Sequence, residues 1–476
     1  MKLSNIIKYI YSFLPALLLA HPLVSQVTHT DYFMETSYMK NSLNPALRPD
    51  QGYLVVPLLP NVAVAAQTNS FNLSNFTFPL NGERVTFMHK DITPERFLSN
   101  LSDKNYLTSD VSVRFLALGF YKGNAFWNID LTVRAHADGN IPKSVFEMIK
   151  TGFDQDGTTY YNLSGITATG HSFTELGVSY SRPLTENLTI GVRPKFLIGI
   201  ADFNLNATKL DIATSPTEWR ALSQVSLRGT APGVIPTYDK DDSFDGFNFG
   251  SFRPTGYGTA LDLGVVWNLK DVSETLNGLK ISGALNDLGF ISWSEANALQ
   301  LVSPEGEVVI RPSDYENTID GSTSLSDVLD NAYKDIKKAI NLKEREQVTK
   351  GYSTRLRMNL NIGLEYELLK NKLSFGALYS SYFGEYLTTW EYTVSANYRP
   401  CHWIALSGSY SFKYSNFDTF GFAFHIAPSR GLNLFVASDY ALPHVSSEWV
   451  PTTSKGINAQ FGISIPIGSK RSQMLR

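Results

Sequence analysis

A single cysteine, Cys401, stands in a chain of 476 residues, so no internal disulfide can brace the fold. Charge is scarce too: Asp, Glu, Lys and Arg make up 18% of the sequence, against roughly a quarter in soluble domains. The formal net charge of −3 is near neutral for this length and argues against a nucleic-acid partner. No run of ~18 uninterrupted apolar residues follows residue 25, which excludes helical membrane spans, so any embedding in a bilayer has to use strands. Chemistry is equally sparse. There is no zinc-ligand spacing and no phosphate-binding glycine loop, and the histidines form no pattern of nucleophile, base and orienting acid. The sequence therefore predicts no catalytic, cofactor or metal site, and a protein that is not an enzyme. Two acidic stretches, Asp154 to Gly157 and Asp239 to Gly246, resemble calcium loops in composition but lack the full ligand spacing, and are expected to be hydrated external loops.

Aromatic residues are plentiful at 13%, which suits a surface that meets lipid. The N-terminus has Lys2 and Lys8, an apolar stretch from Tyr9 to Ala20 and small residues around Ser25, the layout of a secretory signal peptide. Pro15 breaks the apolar run well short of the ~20 residues a spanning helix needs. Residues 1–25 are thus expected to be a signal peptide, cleaved near Ser25/Gln26. Export without a structural disulfide fits the outer membrane of a Gram-negative bacterium.

The period of the remaining sequence is two. From Arg355 to Leu368, Leu356, Met358, Leu360, Ile362, Leu364, Tyr366 and Leu368 share one face, and Arg355, Arg357, Asn359, Asn361, Gly363, Glu365 and Glu367 share the other. Fourteen such segments are expected, at about 61–72, 111–122, 124–135, 172–182, 187–207, 255–269, 278–290, 353–367, 372–382, 388–399, 402–414, 417–427, 431–440 and 456–467. Many run to ten residues, the length a tilted strand needs to cross a membrane. The connections alternate: every even-numbered one is short, while the first, third, fifth and seventh are long, as outer-membrane barrels require. The fold expected is all-β: a transmembrane antiparallel barrel of about fourteen strands over 61–468, with long extracellular loops and both termini in the periplasm. A hatch segment over 26–60 precedes it and a periplasmic tail over 469–476 follows. A soluble sandwich or propeller is the competing architecture. Amphipathic helices are expected over 325–342 and from Pro142 to Lys150.

The face predicted to line the lumen carries both signs of charge: Arg114, Asp130, Arg134, Asp262, Arg355, Arg357, Glu365, Glu367 and Glu391. They either line a pore or cross-link a plugged interior, and the sequence leaves both open. Ahead of the first strand, small, turn-forming and aliphatic residues around Asn44-Pro45-Ala46 look folded rather than free.

The Asn44-Pro45-Ala46 segment resembles the N-terminal signature of long-chain fatty acid transporter-like (FadL-like) barrels. The segment Leu285-Asn286-Asp287-Leu288-Gly289-Phe290-Ile291-Ser292-Trp293 and the ending Gln460 to Gly468 are similar to a related, uncharacterised outer-membrane barrel family of Gram-negative bacteria. The resemblance implies fourteen strands around an N-terminal hatch, with Asn44, Pro45 and Ala46 as gating candidates. The function expected is passive transport of a hydrophobic or amphipathic small molecule, the partners being outer-membrane lipid and that ligand. The alternative is a structural barrel that anchors proteins of a secretion or surface complex.

Overall fold

The computed structural model describes residues 28–151, 157–215, 218–238, 244–250, 253–270, 276–294, 298–302, 306–310, 343–344, 351–370, 372–414, 417–440 and 455–470. Fourteen antiparallel strands close into a barrel. In chain order they are β1 (Gly52–Val55 and Asn61–Thr68), β2 (Lys104–Lys122), β3 (Ala125–Pro142), β4 (Ile166–Pro183), β5 (Leu188–Thr214), β6 (Gly256–Asn268) and β7 (Leu279–Trp293). There follow β8 (Ser353–Arg355 and Met358–Leu369), β9 (Leu373–Phe383), β10 (Thr388–Cys401), β11 (Ile404–Lys413), β12 (Phe417–Ile426), β13 (Asn433–Ser438) and β14 (Gly456–Ile467). Each pairs with its sequence neighbour, and β1 closes the ring by pairing with both β2 and β14, in registers such as Val62 with Val113 and with Phe461.

Burial is inverted relative to a soluble sheet. On β10 the outward Tyr392, Val394 and Tyr398 are 54, 55 and 49% exposed, while the inward Glu391, Thr393, Ser395 and Asn397 are buried. The same holds for outward Leu116, Leu118, Phe196, Phe375, Phe422 and Phe461. An oily face turned outward around a polar interior is stable only if lipid covers it, which excludes the soluble sandwich and identifies a transmembrane barrel.

The wall begins nine residues before the expected boundary of 61, at Gly52. β1 then leaves the sheet at Val56–Pro60 and re-enters at Asn61. Pro57 and Pro60 bracket this excursion; neither has an N–H for a ladder, so the chain bulges and leaves Leu58 exposed.

Several strands outrun the bilayer at the long-loop end. β5 has 27 residues, against the ~9–11 needed to cross. Beyond the wall it pairs with Trp219–Thr230, which in turn pairs with Ala298–Val302 and Gly306–Ile310, making an extension of the sheet outside the membrane. The first two long loops fold together: α1 (Leu73–Phe76) and α2 (Pro94–Leu98) of the first and α3 (Lys143–Thr151) of the second pack Phe76, Phe97 and Phe146 into a small aromatic core. Thr93 caps α2 by accepting Arg96 N–H at 3.3 Å, with Pro94 as its first residue. α3 is the helix expected from Pro142; Pro142 itself is the last residue of β3. The signal peptide, the helix over 325–342, the tail from 471 onward and most of both acidic stretches lie outside the described residues.

Candidate functional site: hatch and lumen

Residues 28–51, within the expected hatch, fill the barrel interior as a chain of turns with one 3-10 turn, Met39–Ser42. Nearly all are buried. The segment docks at both ends and at its middle. At its start, the Asp439 carboxylate accepts the N–H groups of His29 and Thr30 at 3.0 and 3.1 Å, and Gln460 accepts Thr28 N–H at 3.0 Å. Near its end, Arg399 holds Glu35 at 2.6 Å and Asp50 at 2.8 Å. On one side Met34, Tyr38 and Met39 pack against Tyr53, Phe126 and Phe435 of the wall.

The Asn44-Pro45-Ala46 segment is the middle dock. Asn44 Nδ2 donates to the Gly283 carbonyl at 3.2 Å, the Val265 carbonyl at 3.4 Å and Tyr32 Oη at 3.2 Å, while its Oδ1 accepts Ala46 N–H at 2.9 Å. The Leu43 carbonyl accepts from Asn286 at 2.8 Å and Asn361 at 2.9 Å. Pro45 and Ala46 approach the wall only because β5 and β6 present glycine there. A Cβ on Gly191 would overlap the Pro45 carbonyl, and one on Gly264 would overlap Asn44 Oδ1 and Pro45 Cδ. Gly376 makes the same kind of room for the Phe33 ring.

Asp31 and Lys40 of the hatch are shifted in charge by their surroundings. Burial pushes the Asp31 carboxyl up to about 6, opposed by the hydroxyls of Ser37 and Thr28, which donate to it at 2.5 and 3.1 Å. Burial lowers the Lys40 ammonium, whose Nζ donates to the Met34 and Glu35 carbonyls at 3.0 and 3.1 Å.

The lumen wall from β3 to β7 carries a connected ionic cluster. Arg193 meets Asp130 and Glu175 at 2.6 Å and Asp262 at 3.3 Å; Lys195 meets Asp287 at 2.6 Å and Asp262 at 2.7 Å; Arg134 meets Asp287 at 2.9 Å and Glu175 at 3.1 Å. Asp287 adopts φ 61°, a left-handed conformation in mid-strand that costs ~1–3 kcal/mol for a residue with a side chain. The register of β6 and β7 shifts at this point, between Leu261 and Leu263, and Asp287 N–H donates to Asp262 at 2.8 Å. The strain aims one carboxylate at two cations. Toward the long-loop end the lumen turns apolar, with Phe173, Leu197, Ile291, Trp293 and Leu356 in contact. His136 sits between Asp110 at 2.8 Å and Asp138 at 3.1 Å, the arrangement that an imidazole donating from both nitrogens satisfies.

Of the expected lumen charges, Asp130, Arg134 and Asp262 belong to this cluster. Arg357 reaches Asp110 at 3.1 Å, Glu365 and Glu367 lie 3.4 and 3.6 Å from Lys280 near the short-turn end, and Glu391 pairs with Lys413. Arg114 is buried against the hatch, donating to Ser42 at 2.5 Å. Arg355 departs from the expectation. β8 breaks at Leu356–Arg357, so alternation resets: Arg355 is exposed, while Leu356, expected on the lipid face, is buried in the apolar cluster. Glu175, Arg193, Lys195 and Asp287 are not among the expected lumen charges, although Arg193 and Lys195 share the polar parity of their strand.

His29, Glu391 and Asp439 converge with ligand atoms within 4.8 Å of one another, a spacing a metal could use. The Lys413 ammonium already sits on Glu391, and both Asp439 oxygens accept hydrogen bonds from the hatch, so the trio serves as a docking point.

Cavities flank the hatch. One of about 110 Å³ lies between Ser42 and Leu43 of the hatch and the wall residues Asp110, Arg114, Arg134 and Arg357. Another, about 920 Å³, opens among the short turns and is lined by Glu35, Lys40, Arg48, Lys280, Glu365 and Arg399.

The sequence profile of a family of unknown function, DUF5723, matches residues 45–439. No curated protein matches the sequence. Among solved structures, a mutant of the monoaromatic hydrocarbon channel TodX is similar, at 9% identity and a TM-score of 0.40, over 93% of this chain and 96% of that one. The toluene transporter TodX of Pseudomonas putida gives 10% and 0.37 over 90% and 92% of the two chains. An outer membrane channel of Pseudomonas putida gives 9% and 0.31 over 88% and 97%. None of these scores reaches 0.5, so the cargo of those channels says nothing about this lumen.

Proposed function

We propose that this chain, which belongs to the DUF5723 family of unknown function, is a hatch-gated passive channel of the bacterial outer membrane for small amphipathic molecules. The observation that carries this is the position of the hatch: it closes a lumen that has space on both sides, about 110 Å³ beyond it and about 920 Å³ below it. A barrel needed only as an anchor has no use for a vestibule ending at a removable plug. Beside its apolar contacts the plug is held by hydrogen bonds and ion pairs, contacts that can be exchanged for water or ligand at small net cost. The ionic lining and the apolar cluster beside it favour a cargo with a polar head and an apolar part over a pure hydrocarbon.

A second reading has its own support. The ionic cluster fills one side of the lumen from β3 to β7, as befits a structural barrel that presents its sheet extension to a secretion or surface complex. Planar-bilayer conductance separates the two. The full-length protein is expected to be silent, and a variant lacking residues 28–49 but retaining the first wall strand should conduct in steps. A folded deletion variant that stays silent would sink the channel and leave the anchor.

A further inference from the structure

Among the described residues, charge inside this barrel is balanced locally at every inward-facing arginine but one. Arg134, Arg193, Arg357 and Arg399 each lie 2.6–3.1 Å from a carboxylate. Arg114 on β2 is just as deeply placed, at 9% exposure, yet forms no salt bridge with any described residue. Its Nη2 donates to Ser42 Oγ at 2.5 Å, its Nη1 lies 3.8 Å from Met39 Sδ, and its Nε is buried with no hydrogen-bond partner. A guanidinium cannot shed its proton, and a thioether is a weak acceptor, so this charge is buried uncompensated, an arrangement proteins otherwise avoid. Arg114 also lines the cavity of about 110 Å³ above the hatch, together with Arg134 and Arg357, whose charges the cavity's carboxylates Asp110, Glu175 and Asp287 already meet.

We infer that this cavity is a binding site for one oxyanion, a carboxylate or a phosphate, arriving free or as the head group of an amphipathic molecule. Arg114 supplies the missing half of a charge-assisted pair, and its planar fork suits two parallel hydrogen bonds to such a group. Phe173 and Leu356 line the same cavity and offer an apolar surface to whatever carries the anion. Both groups that Arg114 now touches, Ser42 and Met39, belong to the hatch. An anion that takes over the guanidinium therefore competes with the closed position of the hatch and favours its release. Only this gating step rests on the channel reading; binding is measured in the closed, full-length protein, so site and channel can fail separately.

The test is calorimetric titration of the full-length protein in detergent with sodium phosphate, sodium acetate, sodium hexanoate and hexan-1-ol. At least one of the anions should bind saturably and hexanol should not. Phosphate or acetate binding as tightly as hexanoate assigns a free oxyanion; hexanoate binding alone assigns a head group. R114Q should weaken binding at least tenfold. S112D places a fixed carboxylate in the cavity, which Ser112 lines, and should abolish binding in a barrel that still shows the heat-dependent gel mobility of a folded one. Absence of anion binding, equal binding of hexanol, or undiminished affinity in S112D would each overturn the site, the last without relying on the folding of R114Q.

Discussion

Asn44 and Gly264 interlock: the amide of the first occupies the space where a side chain on the second would stand. Gly264→Val therefore has to displace the hatch or the strand, and the strand is fixed by ladders on both sides. The expected result is stepwise conductance from full-length protein that remains heat-modifiable. A silent, folded Gly264→Val barrel would show that this contact does not hold the lumen closed.

Asp287 is expected to dominate the ionic cluster. Asp287→Ala leaves Arg134 and Lys195 with less counter-charge in a buried site, which should cost about 3–5 kcal/mol in urea unfolding. Glu218→Ala removes an ion pair to the largely exposed Arg220 and should cost under about 1 kcal/mol. Similar losses from the two would deny the cluster a special role.

Facing can be tested on two strands. Val394→Arg puts charge on the lipid side and should cost about 2–4 kcal/mol of insertion free energy if it lies near the midplane. Ser112→Asn, on the lumen side of β2, should leave assembly into liposomes unchanged. Equal yields from both variants would reverse the assignment.

The seated hatch should loosen as pH rises through the mildly acidic range. Asp31 is wholly buried and titrates near 6, above its usual value near 4. Its protonated form is thus favoured when the hatch is docked, and that stabilisation, up to about 3 kcal/mol, is present below pH 4 and lost between about 4 and 6. Asp439 faces it from the wall and adds to the preference. Open probability should rise across that window, and Asp31→Asn should flatten the profile; a profile with the same slope in both would place the titrating group elsewhere.

All fourteen strands were legible because lipid enforces alternation on every residue that crosses it. Their outer ends were not. β2 starts at Lys104 rather than 111, β3 ends at Pro142 rather than 135, and β5 runs on to Thr214. Past the bilayer both faces are wet, so hydrogen bonding continues where the two-residue period has nothing left to report. Asn44-Pro45-Ala46 stood out by its resemblance to a family signature and as a turn signal, whereas its receptor was invisible: an inward glycine such as Gly191 looks like any other small residue until the backbone opposite it is known. Arg355 misled for a related reason, since parity counted through Leu356–Arg357 assumes a ladder that is broken there.

The interrupted first strand has a consequence for how the molecule is made. The wall closes by joining its first strand to its last, Gly52 to Ile467 and Val62 to Phe461, and such distant pairings form late and slowly. Residues 28–51 lead directly into the strand that makes this seam, so the hatch is carried to the lumen by the same event that shuts the wall. The plug and the clasp are thus one piece, and a hatch supplied afterwards as a separate peptide, without that tether, should seat far more weakly.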